Sequence, residues 1–170
     1  MINNNFKKIL KCLFTYTNTE MNDLKLIGLN GTIISKSSSD KFHILPYLNT
    51  SLNTIINSDG ISSNVLGGVC MGFGSGNKQV SLEDYKLHTW IDNLSYQSSS
   101  VETTEEGYTV TTSVKNNTST DIIVSEVGLF CLGRNINLSY PPCMLARNVL
   151  ETPITIKPNE TKTFTVTINF

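Results

Sequence analysis

Glu126 and Arg147 are the two residues of this sequence whose type and setting point most directly to a chemical role. Glu126 stands inside the apolar run D-I-I-V-S-E-V-G-L-F-C-L of Asp121–Leu132, and Arg147 closes the stretch Cys143-Met144-Leu145-Ala146-Arg147. A carboxylate among Val, Leu and Phe is costly to bury unless a cation or several donors meet it. Arg147 is the candidate partner, and a buried Glu126–Arg147 pair would fix the register of the two strands that carry it. The residues also allow a second reading, in which Glu126 faces solvent from a half-exposed strand.

Elsewhere the chemistry-bearing types are scattered. The cysteines are Cys12, Cys70, Cys131 and Cys143, with no C-x-x-C, and His43 and His88 are the two histidines. A zinc site calls for close paired ligands, so no metal is expected, and the four thiols read as small buried hydrophobes in a reducing compartment. The run Gly72-Phe73-Gly74-Ser75-Gly76 is followed by Asn77-Lys78-Gln79. It has neither the Gly-Lys-Ser/Thr of a phosphate loop nor the G-x-G-x-x-G of a dinucleotide fold, so its glycines read as a tight turn or a close backbone approach. No serine elbow, H-E-x-x-H or paired-carboxylate motif accompanies His88 and Trp90. No cofactor and no catalytic set are expected.

Composition narrows the classes further. The chain has 170 residues, 39% apolar and 16% charged, with a net charge of −1. That length suits one domain, and the near-neutral charge leaves no basic footprint for nucleic acid. The Met1–Tyr16 stretch has no uninterrupted apolar run or small-residue cleavage site, and no segment reaches transmembrane length, so a soluble protein without a membrane partner is expected.

The pattern along the chain is β-rich. Residues 3–15 fit a short amphipathic helix with Phe6, Ile9, Leu10, Leu13 and Phe14 on one face and Lys7, Lys8 and Lys11 opposite. Asn30-Gly31 marks a hairpin between Leu24–Leu29 and Thr32–Ser35. A short helix is read near Leu48–Ile56, and a brief helical turn over Ser81–Leu87 with Ser81 as cap and Asp84 three residues on. Strands follow at Val65–Gly76, Tyr96–Thr104, Tyr108–Val114, Ile122–Leu132, Cys143–Val149, Ile154–Ile156 and Thr163–Phe170, with turn signals between them. The last alternates Phe164, Val166, Ile168 and Phe170 against Thr and Asn. The expectation is a mainly β protein, an antiparallel β-sandwich of Ig-like or jelly-roll-like form with a short N-terminal amphipathic helix. Residues 1–23 would be a helix or arm and 24–170 a single sandwich domain.

Four stretches taken in order carry a resemblance. They are Gly72–Gly76 followed by Asp84-Tyr85-Lys86-Leu87; Asn116-Asn117-Thr118 leading to Ser125-Glu126-Val127-Gly128-Leu129-Phe130; Met144-Leu145-Ala146-Arg147; and Ile154–Phe170. Together they resemble small β-sandwich structural proteins and modules of tailed bacteriophage virions, over roughly residues 65–170. The glycine stretch departs from the usual form, because Asn77-Lys78-Gln79 replaces the expected Thr and Pro.

The resemblance implies a non-enzymatic virion component, made in the bacterial host cytoplasm. It would assemble as a homo-oligomer with neighbouring neck, tail or capsid subunits. A ring, adaptor or fibre-attachment role at the neck or tail is favoured, with a capsid decoration or head-fibre protein as the nearer alternative. A carbohydrate-binding sandwich module is the alternative from another class. Candidate assembly surfaces are the Phe6, Ile9, Leu10, Leu13, Phe14 helix and the Phe164, Val166, Ile168, Phe170 strand, since arms and strand edges lock neighbours together.

Overall fold

A computed structural model of the protein describes residues 4, 26–34, 55–57, 60–62, 68–104, 107–132, 134–135, 138–139 and 143–169. Every element it forms there is a strand: β1 Leu26–Ile27, β2 Ile33–Ile34, β3 Ile55–Asn57, β4 Gly60–Ser62, β5 Gly68–Gly74, β6 Leu94–Thr104, β7 Gly107–Asn116, β8 Ile122–Leu132, β9 Arg134–Asn135, β10 Leu138–Ser139, β11 Cys143–Ile156 and β12 Thr161–Asn169. Six of these make two three-stranded antiparallel sheets, ordered β11-β8-β5 and β12-β7-β6. The protein is mainly β.

Period-two patterning explains the second sheet. In β7 the residues Tyr108, Val110, Thr112 and Val114 are buried while Thr109, Thr111 and Ser113 are half-exposed. β12 repeats this, with Phe164 and Ile168 buried between exposed threonines. The first sheet contributes Met71, Phe73, Val127 and Leu129 to the same apolar cluster as Val110 and Phe164. The Phe73 and Phe164 rings, one from each sheet, lie 4.7 Å apart in a tilted contact. Tyr96 adds its ring to Phe73, and its hydroxyl donates to the Met71 carbonyl at 2.9 Å.

Two turns fasten this frame. Asn116 is fully buried at the end of β7, and both faces of its amide are used. Its Nδ2 donates to the carbonyls of Thr120 (2.7 Å) and Ile156 (2.8 Å), while Oδ1 accepts from the N–H and hydroxyl of Thr118. Lys157–Glu160 joins β11 to β12 with Pro158 second and Asn159 third at φ 63°, the residue order a type II turn requires. The Asn159 N–H reaches back to the Asn116 carbonyl at 2.8 Å, so the two turns lock each other.

Several local expectations need correction. Cys143–Val149 and Ile154–Ile156 are one 14-residue strand rather than two. Its pairing with β8 breaks between Val149 and Ile154, and Pro153, which has no N–H to donate, falls within that break. Ser81–Leu87 holds no helix: Leu82 and Glu83 form a turn instead. At the end of the expected helix near Leu48–Ile56, Ile55–Asn57 pairs with Gly60–Ser62 as a hairpin. The Asn30-Gly31 turn does join two strands, with Ile27 opposite Ile33 and Gly31 at φ 79°. The N-terminal helix lies outside the described residues apart from Asn4. That residue donates to the Leu82 carbonyl (3.1 Å) and to Glu83 Oε1 (2.7 Å).

Candidate functional site

The site is built on the face of the β11-β8-β5 sheet that turns away from the shared core. In β5, Val69, Met71 and Phe73 join the core while Cys70, Gly72 and Gly74 lie on the opposite face. In β8 the inward set changes partway. Ile122 and Val124 are core residues, then Val127 and Leu129 are, so the alternation slips by one across Ser125-Glu126. That slip coincides with the broken pairing to β11. It sends Glu126, Gly128 and Phe130 to the far face together.

Residues 75–90 cross that face as a compact loop whose ends meet. Ser75 N donates to the Thr89 carbonyl (2.8 Å), Ile91 N to the Phe73 carbonyl (3.0 Å), and Gly74 bridges to Trp90. Leu87, fully buried, packs with Cys70, Phe130 and Met144 beneath the loop, and the Trp90 ring lies 5.2 Å from that of Phe130. A sixteen-residue loop laid on a sheet brings polar backbone with it, and each buried donor needs an acceptor.

Glu126 and Arg147 meet that need. Glu126 Oε1 accepts from the backbone N–H groups of Gly76 (3.1 Å) and Thr89 (2.8 Å), one at each end of the loop. Its Oε2 accepts from Arg147 Nε at 2.6 Å. Arg147 also donates through Nη1 to Asp84 Oδ2 (3.0 Å) and through Nη2 to the Lys78 carbonyl (2.9 Å). Glu126 is 0% exposed and Arg147 2%. One carboxylate and one guanidinium therefore hold the loop at residues 76, 78, 84 and 89.

Asp84 completes the cluster. Its carboxylate accepts the Ser81 N–H at 2.9 Å, as in one half of a capping box, while Ser81 Oγ accepts from Glu83 N, and no helix stands behind them. His88 Nε2 lies 3.6 Å from the other Asp84 oxygen. Burial pushes the Asp84 carboxyl up, but the Ser81 N–H, the Arg147 guanidinium and His88 outweigh it, and its pKa lies below the ordinary value.

Glycine makes the packing feasible. A Cβ on Gly74 would fall 2.5 Å from both Glu126 Oε1 and the Thr89 carbonyl, and one on Gly76 would meet Glu126 Oε1 as well. Gly72, Gly128 and Arg147 lie side by side across the three strands, and a Cβ on Gly128 would press on Phe130 and Leu87. The glycine-rich stretch is thus a close-approach surface for a carboxylate and a covering loop.

The remaining sequence candidates are placed elsewhere. Phe164 and Ile168 are buried in the chain's own core and Val166 is half-buried beside it, while the threonines between them are exposed. Phe6, Ile9, Leu10, Leu13, Phe14 and Phe170 lie outside the described residues. Asp84, Asn116 and Leu87 were not read as site residues, although all three fall in stretches that carry the resemblance. Among the described residues no three His, Cys, Asp or Glu side chains are grouped to hold a metal ion, and no helix is long and apolar enough to cross a membrane.

Set against family models, curated proteins and solved structures, the chain matches none. What the cluster does chemically follows from its geometry alone. Its donors and acceptors are turned on one another and on the loop backbone, and its two central charges are closed to water.

Proposed function

We propose that this chain is a non-enzymatic structural subunit of a tailed-bacteriophage virion, built on an antiparallel β-sandwich and assembled in multiple copies at the neck or tail. One observation carries the reading. Of the stretches that resemble virion proteins in sequence order, Gly72–Gly76, Asp84–Leu87, Ser125–Phe130 and Met144–Arg147 come together at a single ion-paired cluster, while Asn116–Thr118 and Ile154–Phe170 belong to the turns and the second sheet. That cluster fastens a loop to a sheet and has its acid and its guanidinium sealed from solvent, which suits a rigid building block better than a site for a diffusing substrate.

The test begins with mass spectrometry of purified particles from a phage whose genome encodes the chain. Recovery in the particle at several copies is expected, and absence from the particle would overturn the virion reading. Light scattering with negative-stain imaging of the purified protein is expected to show a ring or other defined oligomer. A monomer that binds glycans on an array would replace this reading with a carbohydrate-binding module.

A further inference from the structure

Two antiparallel sheets leave four edges, and exposed edges template pairing with other chains unless something blunts them. Three of the four edges here carry such a device. β5 is covered by the return of the chain at Trp90 and Ile91. β11 has two register shifts and Pro153, and β6 has a bulge between Tyr96 and Ser98 and an acid, Glu102, near its end. β12 differs. Its nine residues pair with β7 without a shift, contain no Gly, Pro or acid, and meet no other strand on the outer side among the described residues; its one charge, Lys162, stands next to the start of the strand and is drawn to Glu160.

We infer that β12 is a self-pairing edge, joining a second copy of this chain antiparallel about a two-fold axis at Thr165. The inference rests on the reading of the chain as an assembling subunit and names the surface that assembles.

The sequence of β12 is self-complementary under that operation. Thr165 would face its own copy, Thr163 would face Thr167, and Phe164 would face Val166, keeping hydroxyls on one face and apolar groups on the other. The lone cation, Lys162, would fall opposite Ile168, and its Nζ is already 2.7 Å from Glu160 Oε1, so no like charges meet. Hydroxyl pairing already links β12 to β7 at Thr111–Thr165 (3.3 Å) and Ser113–Thr163 (2.7 Å). The same rows would run on across the axis. On the inner face, Val166 and Ile168 line a groove of about 330 Å³ shared with Val127, Leu129 and Ala146. The second copy's strand would run along its mouth. The product is a continuous six-stranded sheet from two three-stranded ones.

The test uses the full chain and two exposed positions of the outer face. Thr165→Lys sets two lysines against each other at the axis, where facing like charges repel. It is expected to halve the solution mass while leaving the circular dichroism spectrum unchanged. Thr165→Cys is expected to give a covalent dimer with a short bis-thiol linker, above the background of wild type treated identically. Thr163→Cys is expected to give none, since the offset between its two copies is about 13 Å along the strands. An oligomer whose mass ignores Thr165→Lys, with Thr165→Cys linking no better than Thr163→Cys, would overturn edge pairing and leave the assembling-subunit reading standing. A wild-type monomer at all concentrations, with no cross-link at position 165, would overturn edge pairing, and absence of the chain from purified particles would overturn the virion reading as well.

Discussion

Arg147 donates its Nε proton to Glu126 at 2.6 Å although the two residues are not opposite each other in the sheet. Arg147 faces Gly128, and Glu126 faces Val149. The contact is diagonal, and the absence of a side chain at Gly128 leaves the row between them low. Sheet register, a glycine and an ion pair are thus one arrangement.

Removing one partner of that pair leaves the other charged in a site closed to water. Glu126→Gln is expected to cost about 3–5 kcal/mol, the range for breaking a buried pair from one side. Chemical denaturation of the variant measures it, and near-wild-type stability would refute the pairing as a structural requirement.

Gly74→Ala probes the close approach directly. The added methyl meets the Thr89 carbonyl, which is backbone and has little room to move. A loss of about 1–3 kcal/mol is expected from this overpacking. The covering loop should become a protease target at residues 77–83, and Trp90 fluorescence should report its loosening from Phe130.

Acid should release the loop through Asp84. Its folded pKa lies below the ordinary carboxylate value of about 3.8, so its contribution is complete above that value and is lost as pH falls through the folded pKa. Asp84→Asn should therefore be less stable than wild type at neutral pH. The gap between the two should close as pH drops below about 3.8 in paired denaturation curves.

Asn116→Ala strips the amide that satisfies the Thr120 and Ile156 carbonyls and orients Thr118. Unmet buried groups of this kind cost about 1–3 kcal/mol. Asn116→Asp keeps the acceptor but turns a negative charge on two carbonyl oxygens, and should be at least as destabilised at neutral pH. Thermal melts of both variants check the order.

The strands of the second sheet were legible because each buries one face: Tyr108, Val110, Thr112 and Val114 alternate in the chain as they do in the structure. The pairing of Asn30-Gly31 and the turn at Lys157–Glu160 were legible for a similar local reason, since turn geometry selects its residues. Asp84 was harder. The Ser81–Asp84 spacing reads as the start of a helical turn because Asp84 does accept the Ser81 N–H, and only the sheet beneath shows a turn held by Arg147.

By itself the sequence determined the strands of the second sheet, the turns at Asn30-Gly31 and Lys157–Glu160, and that one acid and one arginine stood in apolar company, because these depend on neighbours within a few residues. It also carried the alternation that makes β12 two-faced. Tertiary structure alone decided that Glu126 leaves the core side of β8, since the slip at Ser125-Glu126 coincides with a pairing break with a strand distant in the chain. It likewise decided that Phe164 and Ile168 serve the chain's own core, with β12 at the edge of its sheet among the described residues. A periodicity states that one face is buried; what it is buried against is settled by contacts between segments distant in the chain.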